Sequence, residues 1–72
     1  MEQWRTGGRY QVWRAAPVQT LAGEQQVLPV GYAEVQPLQP GFRILMPLEH
    51  VKLILSDQEF ARLVQEGKMR KL

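Results

Sequence analysis

Apolar and polar side chains alternate along much of this chain, which is the pattern of strands in a half-buried β-sheet. The clearest example covers residues 9–15, where Tyr10 and Val12 share one side and Trp13 points to the other. The same tendency is found in three further segments, at 26–36, 42–46 and 51–55. The pattern therefore predicts a sheet of three to four antiparallel strands between residues 9 and 55.

Proline and glycine mark the breaks between these strands. Pro17 has no N–H to donate to a β-ladder, so we expect it to end the first strand. Gly23 fits a turn at 22–25, because glycine adopts positive φ at no steric cost. Pro40 followed by Gly41 supplies the residues that a type II turn requires at its two central positions. Short turns of this kind join consecutive strands, so the expected topology is a meander.

The sharpest local signal lies at Ser56, where an apolar strand gives way to helical spacing. Ser56 and Glu59 form a capping box, in which the hydroxyl accepts the Glu59 N–H and the carboxylate returns to the Ser56 N–H. Gly67 is a natural residue for ending a helix in the left-handed conformation. We predict one C-terminal helix over 57–66, followed by a short, frayed basic tail at 68–72.

These elements predict an α+β fold, in which a small antiparallel β-meander is closed by one C-terminal helix. We expect a single domain over 1–72, with a loose lead-in at 1–7. Large apolar groups occur on both faces of the predicted sheet, and a lone helix covers only one of them. The sheet must therefore curl into a small barrel or pack against another copy. Because small cores are weak and this chain has no Cys, we expect self-association.

Composition excludes several classes of site and makes strong binding to polyanions less favoured. The absence of Cys removes disulfides, Cys-based zinc sites and thiol nucleophiles together. No apolar run approaches the roughly 20 residues of a membrane span, and the N-terminus lacks the pattern of a secretory signal. We therefore expect a cytoplasmic protein that does not contact a membrane. The formal net charge of +2 argues against strong binding to polyanions.

Groups suited to catalysis or metal binding are too few to form a site. His50 is the only histidine, whereas a zinc site needs three or four ligands. Ser56 and Asp57 are explained by the start of the predicted helix, without any chemical role. The two adjacent glycines near the N-terminus do not form a phosphate-binding loop. We expect no enzyme activity, no cofactor, no metal and no small-molecule substrate.

A cluster of aromatic and arginine side chains is the most informative candidate surface. Trp, Tyr and Arg are the usual anchors of protein interfaces. The same residue types stack on bases and pair with phosphates in nucleic-acid sites. Packing in the core would explain the aromatic members equally well. We favour a protein-interaction or regulatory module that self-associates, with weak nucleic-acid binding as the alternative. The candidate residues are Trp4, Arg5, Arg9, Tyr10, Trp13, Arg14, Phe42 and Arg43.

Overall fold

The computed structural model describes residues 7–72, which form seven β-strands and one α-helix. A 3₁₀ turn at Pro47–Glu49 separates the fifth and sixth strands. The elements in chain order are β1 (Gly8–Val12), β2 (Ala16–Gln19), β3 (Gln25–Leu28), β4 (Gly31–Leu38), β5 (Gly41–Met46), β6 (Val51–Ser56), α1 (Asp57–Gln65) and β7 (Met69–Lys71).

The strands form two antiparallel sheets, so the predicted α+β class is confirmed. Five strands make the larger sheet, in the order β6-β5-β4-β1-β7, and β2 pairs with β3 in a separate hairpin. The hairpin meets the edge of the larger sheet where the Leu21 N–H donates to the Ile54 carbonyl at 2.8 Å. One backbone hydrogen bond therefore joins the hairpin turn to the edge strand β6, and the two sheets stay separate.

The number of strands exceeds the three to four predicted, because one predicted strand is divided and because β2 and β7 lie outside the predicted strand segments. The segment 26–36 forms both β3 and β4, and the chain changes sheet at Pro29 and Val30. The segment 9–15 ends at Val12, and a new strand begins at Ala16. Pro17 lies inside that strand, paired with Val27, rather than ending a ladder. An edge strand tolerates proline because one side of its backbone needs no partner.

The predicted frayed tail at 68–72 is wrong, since most of it is strand β7. This strand pairs antiparallel with β1, so that Met69 lies opposite Val12 and Arg70 opposite Gln11. Met69 is fully buried, although basic residues flank it. Its burial gives the C-terminal segment an apolar anchor in the core, which a solvated basic tail would lack.

One contiguous core lies on the inner side of the larger sheet. Phe42 on β5 stacks on Phe60 of α1 with ring centroids 4.2 Å apart, and Tyr10 meets the same ring edge-on at 5.5 Å. The hairpin contributes Val18 and Leu28 to this core. The helix and the hairpin therefore cover the inner face of the larger sheet together, within one chain. Self-association stays a prediction.

The ends of α1 follow the predicted capping chemistry, with one change. The Ser56 hydroxyl accepts the Glu59 N–H at 3.1 Å. The Glu59 carboxylate binds Arg62 and the Gln19 N–H instead of completing a capping box.

At the C-terminal end of α1, Gly67 has φ 74°, and the Lys68 N–H donates to the Leu63 carbonyl at 3.0 Å. This pattern is a Schellman motif, as the position of Gly67 predicts.

The predicted type II turn at Pro40–Gly41 is also wrong. Leu38 and Gly41 are paired, so Gln39 and Pro40 are the two central residues, and the peptide bond between them is cis. Gly41 belongs to β5, where an added Cβ would collide with the Leu55 carbonyl oxygen. Close approach of two strands therefore explains this glycine, and a positive φ does not.

We predict that Phe42→Ala lowers the free energy of unfolding by about 3–5 kcal/mol, because it removes a fully buried ring from the aromatic stack. Val64→Ala on the exposed side of α1 is the matched control and should cost less than about 1 kcal/mol. Urea denaturation followed by circular dichroism measures both. Equal losses for the two variants would contradict this description of the core.

We also predict that Glu59 makes stability depend on pH. Hydrogen bonds from Arg62 and from the Gln19 N–H lower the pKa of the Glu59 carboxyl below its ordinary value. Its contribution is therefore complete above the unfolded-state pKa and is lost as pH falls through the lowered, folded-state pKa. Between about pH 5 and about pH 3, the wild type should lose about 0.5–1 kcal/mol more than Glu59→Gln. Parallel stability curves for the two proteins would refute the prediction.

Candidate functional site

The outer side of the larger sheet is covered by neither the helix nor the hairpin. Its side chains alternate along each strand with the buried ones, and each of them is exposed or half-buried. We call this surface the open face. It consists of Arg9, Gln11, Tyr32, Glu34, Gln36, Leu38, Arg43, Leu45, Lys52, Ile54 and Arg70.

Charge is distributed unevenly between the open face and the rest of the molecule. Four cationic side chains lie on the open face, and Glu34 is its one carboxylate. The other side-chain carboxylates among residues 7–72 belong to the hairpin turn, the 3₁₀ turn, α1 and its C-cap residue Glu66. The formal net charge of +2 for the chain therefore averages a basic sheet face with a more acidic remainder.

The strand register places polar and aromatic groups in adjacent positions on this face. Gln11 lies opposite Arg70 on one side and opposite Tyr32 on the other. Because neighbouring strands are about 4.8 Å apart, Arg70 and Tyr32 are separated by about 10 Å across β1. Arg43 on β5 donates to the Gln36 side chain, which holds its guanidinium over the sheet.

Trp13 extends the open face beyond the end of β1. The backbone N–H of Trp13 donates to the Lys68 carbonyl at 2.8 Å, which adds one more bond to the pairing of β1 with β7. The side chain is 55% exposed. The Arg70 guanidinium carbon lies 6.0 Å from the centroid of the Trp13 ring, which is within the range of a cation–π contact.

A shallow depression borders the Trp13 ring. Trp13, Arg14, Gly67 and Arg70 line it together with Glu66. Lys68 and Arg62 each bind the Glu66 carboxylate at 3.1 Å. The hydrogen bond from Lys68 is the largest cause that lowers the pKa of Glu66. The one carboxylate of the depression thus stays ionised and is paired with two cations from outside it, while Arg14 and Arg70 contribute positive charge to the depression.

The structure divides the predicted cluster of aromatic and arginine residues. Trp4 and Arg5 lie outside the described residues. Tyr10 and Phe42 are core residues rather than surface anchors, since their rings stack around Phe60, and burial raises the pKa of the Tyr10 hydroxyl. The remaining predicted members are on the surface, on the open face or at its Trp13 end: Arg9, Trp13, Arg14 and Arg43.

Sequence reasoning missed Arg70 and Tyr32 as members of this surface. The run of basic residues predicts a frayed tail that includes Arg70, although Met69 between two basic residues has the two-residue period of a strand. The sequence pattern predicts a strand at Tyr32 but indicates no functional role for this residue. Both assignments depend on the register of β1 with its neighbours, which local sequence patterns do not determine.

His50 and Ser56, for which the sequence predicts no chemical role, lie at the ends of local structural elements. His50 is exposed and ends the 3₁₀ turn in the left-handed conformation, with φ 57°. Ser56 caps α1. Over residues 7–72 there is no group of three or more His, Cys, Asp or Glu that could hold a metal ion. Within the same residues, no helix has both the length and the apolar character needed to cross a bilayer.

Comparisons of the chain with protein-family models, with curated proteins and with solved structures give no significant match.

Proposed function

We propose that this chain is a non-enzymatic binding domain whose open face takes up nucleic acid weakly and without sequence specificity. The observation that carries the proposal is the separation of charge, with four cations against one carboxylate on an uncovered sheet. Arginine is the side chain best suited to pairing with phosphate oxygens, and such pairs supply most of non-specific affinity. The net charge of +2 understates this basic face, because it sums the charges on both sides of the molecule.

The arrangement on the sheet also supports phosphate contacts along an extended path. Arg9 and Arg70 lie on adjacent strands at one side of the open face, and Arg43 and Lys52 lie on adjacent strands at the other. The amide of Gln11 lies between Arg70 and Tyr32 and offers hydrogen bonds to sugar or base. A nucleic-acid strand that runs across the sheet from β7 to β6 would therefore meet cations at both ends of its path.

We predict that affinity for an oligonucleotide falls with salt and that this dependence maps to the open face. With up to four phosphates neutralised, log K against log salt should have a slope between about −2 and −3 for a single strand. Arg70→Gln should weaken binding and reduce the magnitude of that slope by about 0.7 to 1. Fluorescence anisotropy of a labelled 12-mer at several salt concentrations measures both.

Lys71→Gln is the matched control, because it removes one charge from the neighbouring residue on β7. Lys71 lies opposite the buried Tyr10 and its side chain lies near Gly8, away from the open face. Its salt slope should match that of the wild type. An equal effect of the two variants would mean that general charge, and not the open face, binds the oligonucleotide.

A protein partner or a second copy of the chain is the second candidate. Large apolar side chains are exposed around the hairpin, with Val27, Val30 and Leu21 among them. Leu21 also lines an apolar depression with Ile54 at the edge strand β6. Surfaces of this kind suit association driven by apolar burial rather than by charge. The cytoplasmic location that the sequence favours stays a prediction.

If the second candidate is correct, the protein should form oligomers as its concentration rises, with little dependence on salt. Light scattering after size-exclusion chromatography measures the mass. Ile54→Ser should weaken this association, because it removes apolar area from the depression. Val64→Ser on the exposed side of α1 is the control and should leave the mass unchanged. A monomeric mass at every concentration would exclude self-association.

A further inference from the structure

We propose that the open face selects single-stranded over double-stranded nucleic acid, and that an unpaired base stacks on the ring of Trp13. This inference rests on the proposed function, since it uses the same face. It adds that single strands bind in preference to duplexes, and that Trp13 is the residue that distinguishes the two.

The width of the sheet argues against the grooves of a duplex. Five strands at about 4.8 Å spacing make a surface about 19 Å across between the outermost strands. The major groove of B-DNA is about 12 Å wide, which admits a helix or a two-stranded ribbon. A duplex could touch this sheet only through its phosphates. A single strand can lie across the sheet and turn its bases towards it.

Trp13 offers what an unpaired base requires, which is an accessible aromatic ring on a backbone held by hydrogen bonding. The ring is 55% exposed, whereas the rings of Tyr10, Phe42 and Phe60 are buried in the core. The backbone of Trp13 is held by its bond to Lys68, and Arg70 lies over the ring. Stacking on such a ring is available to every base, because each has a π-face, but the bases of a duplex are already stacked on one another.

The groups around Trp13 suit the phosphates next to a stacked base. Arg14 and Arg70 line the same depression as the ring. Glu66, the carboxylate of that depression, is bound by Arg62 and Lys68. A phosphate would therefore meet two guanidinium groups beside a carboxylate that is already paired with two other cations. A purely structural role for Trp13, as a cap over the end of β1 and β7, would account for the contact with Arg70 but would not require Arg14 to line the same depression.

The test uses the full chain in a Trp4→Phe background, which leaves Trp13 as the one tryptophan of the two in the sequence. A 12-nucleotide oligothymidylate and a 12-base-pair duplex are titrated at about 50 mM salt, where non-specific phosphate contacts are strong. The single strand should quench Trp13 fluorescence and bind more tightly than the duplex. In the same background, Trp13→Ala should weaken binding of the single strand about 5- to 100-fold, measured by anisotropy.

Two controls separate stacking from structure and from charge. Trp13→Phe keeps an aromatic ring and should retain most of the affinity, whereas Trp13→Ala should not. Neither variant removes a charge, so the salt slope should stay that of the wild type. The unfolding midpoint of each variant, followed by circular dichroism, shows that the compared proteins are folded.

The outcomes distinguish this inference from the proposed function. If Trp13→Ala binds as tightly as its parent, or the duplex binds as tightly as the single strand, the inference is wrong while salt-dependent binding through Arg70 can still stand. If neither nucleic acid binds, both proposals fail together. Salt-insensitive oligomers without nucleic-acid binding would then identify the chain as a protein-interaction module.

Discussion

A helix of nine residues is about 13 Å long, and it must help to cover a sheet that is about 19 Å across. This mismatch in size governs the rest of the structure. Phe60 can reach Tyr10 and Phe42 from the helix, but the remaining inner face needs another layer. The β2–β3 hairpin provides it by folding back with Val18 and Leu28 directed into the core. Two contacts hold the two covering elements together, where Glu59 accepts the Gln19 N–H and Arg62 donates to the Pro17 carbonyl.

With helix and hairpin both on the inner side, none of the described elements is left to cover the outer side. The open face must then be compatible with water, and its charged and amide side chains satisfy this requirement. Solvation alone does not require one sign of charge, and mixed charges would serve equally well. The excess of cations over Glu34 is therefore the property of this face that calls for a functional explanation, and it is the basis for proposing a polyanionic partner.

The parts of the fold that local chemistry determines could be predicted from the sequence. The cap at Ser56, the stop at Gly67 and the α+β class depend on hydrogen bonds and periodicities within a few residues. The division of the segment 26–36 could not be predicted in this way, because Leu28 and Val35 are both buried but lie in different sheets. Periodicity identifies the side of a strand, and it contains no information about which sheet the strand joins.

The candidate site was harder to predict than the fold for a related reason. Tyr10 and Phe42 are aromatic residues, and residue type alone does not distinguish a surface anchor from a core residue. Their contacts with Phe60 show that they belong to the core. Arg14 and Trp13 were identified from the sequence as candidates, but Arg70 was not. The three meet because β1 pairs with a strand that begins almost 60 residues later in the chain. Non-local pairing of this kind leaves no trace in a local pattern.

Burial of Met69 connects the stability of the domain to the composition of its open face. In the observed register Met69 lies opposite Val12 on the inner side, and Arg70 therefore lies on the outer side beside Trp13. A slip of one residue would expose Met69 and turn Arg70 towards the core, since successive side chains of a strand point to opposite faces. The cost of exposing a buried methionine and burying an arginine is several kcal/mol, so the core holds this register firmly. The same packing that closes the core thus places a guanidinium group over the exposed tryptophan ring.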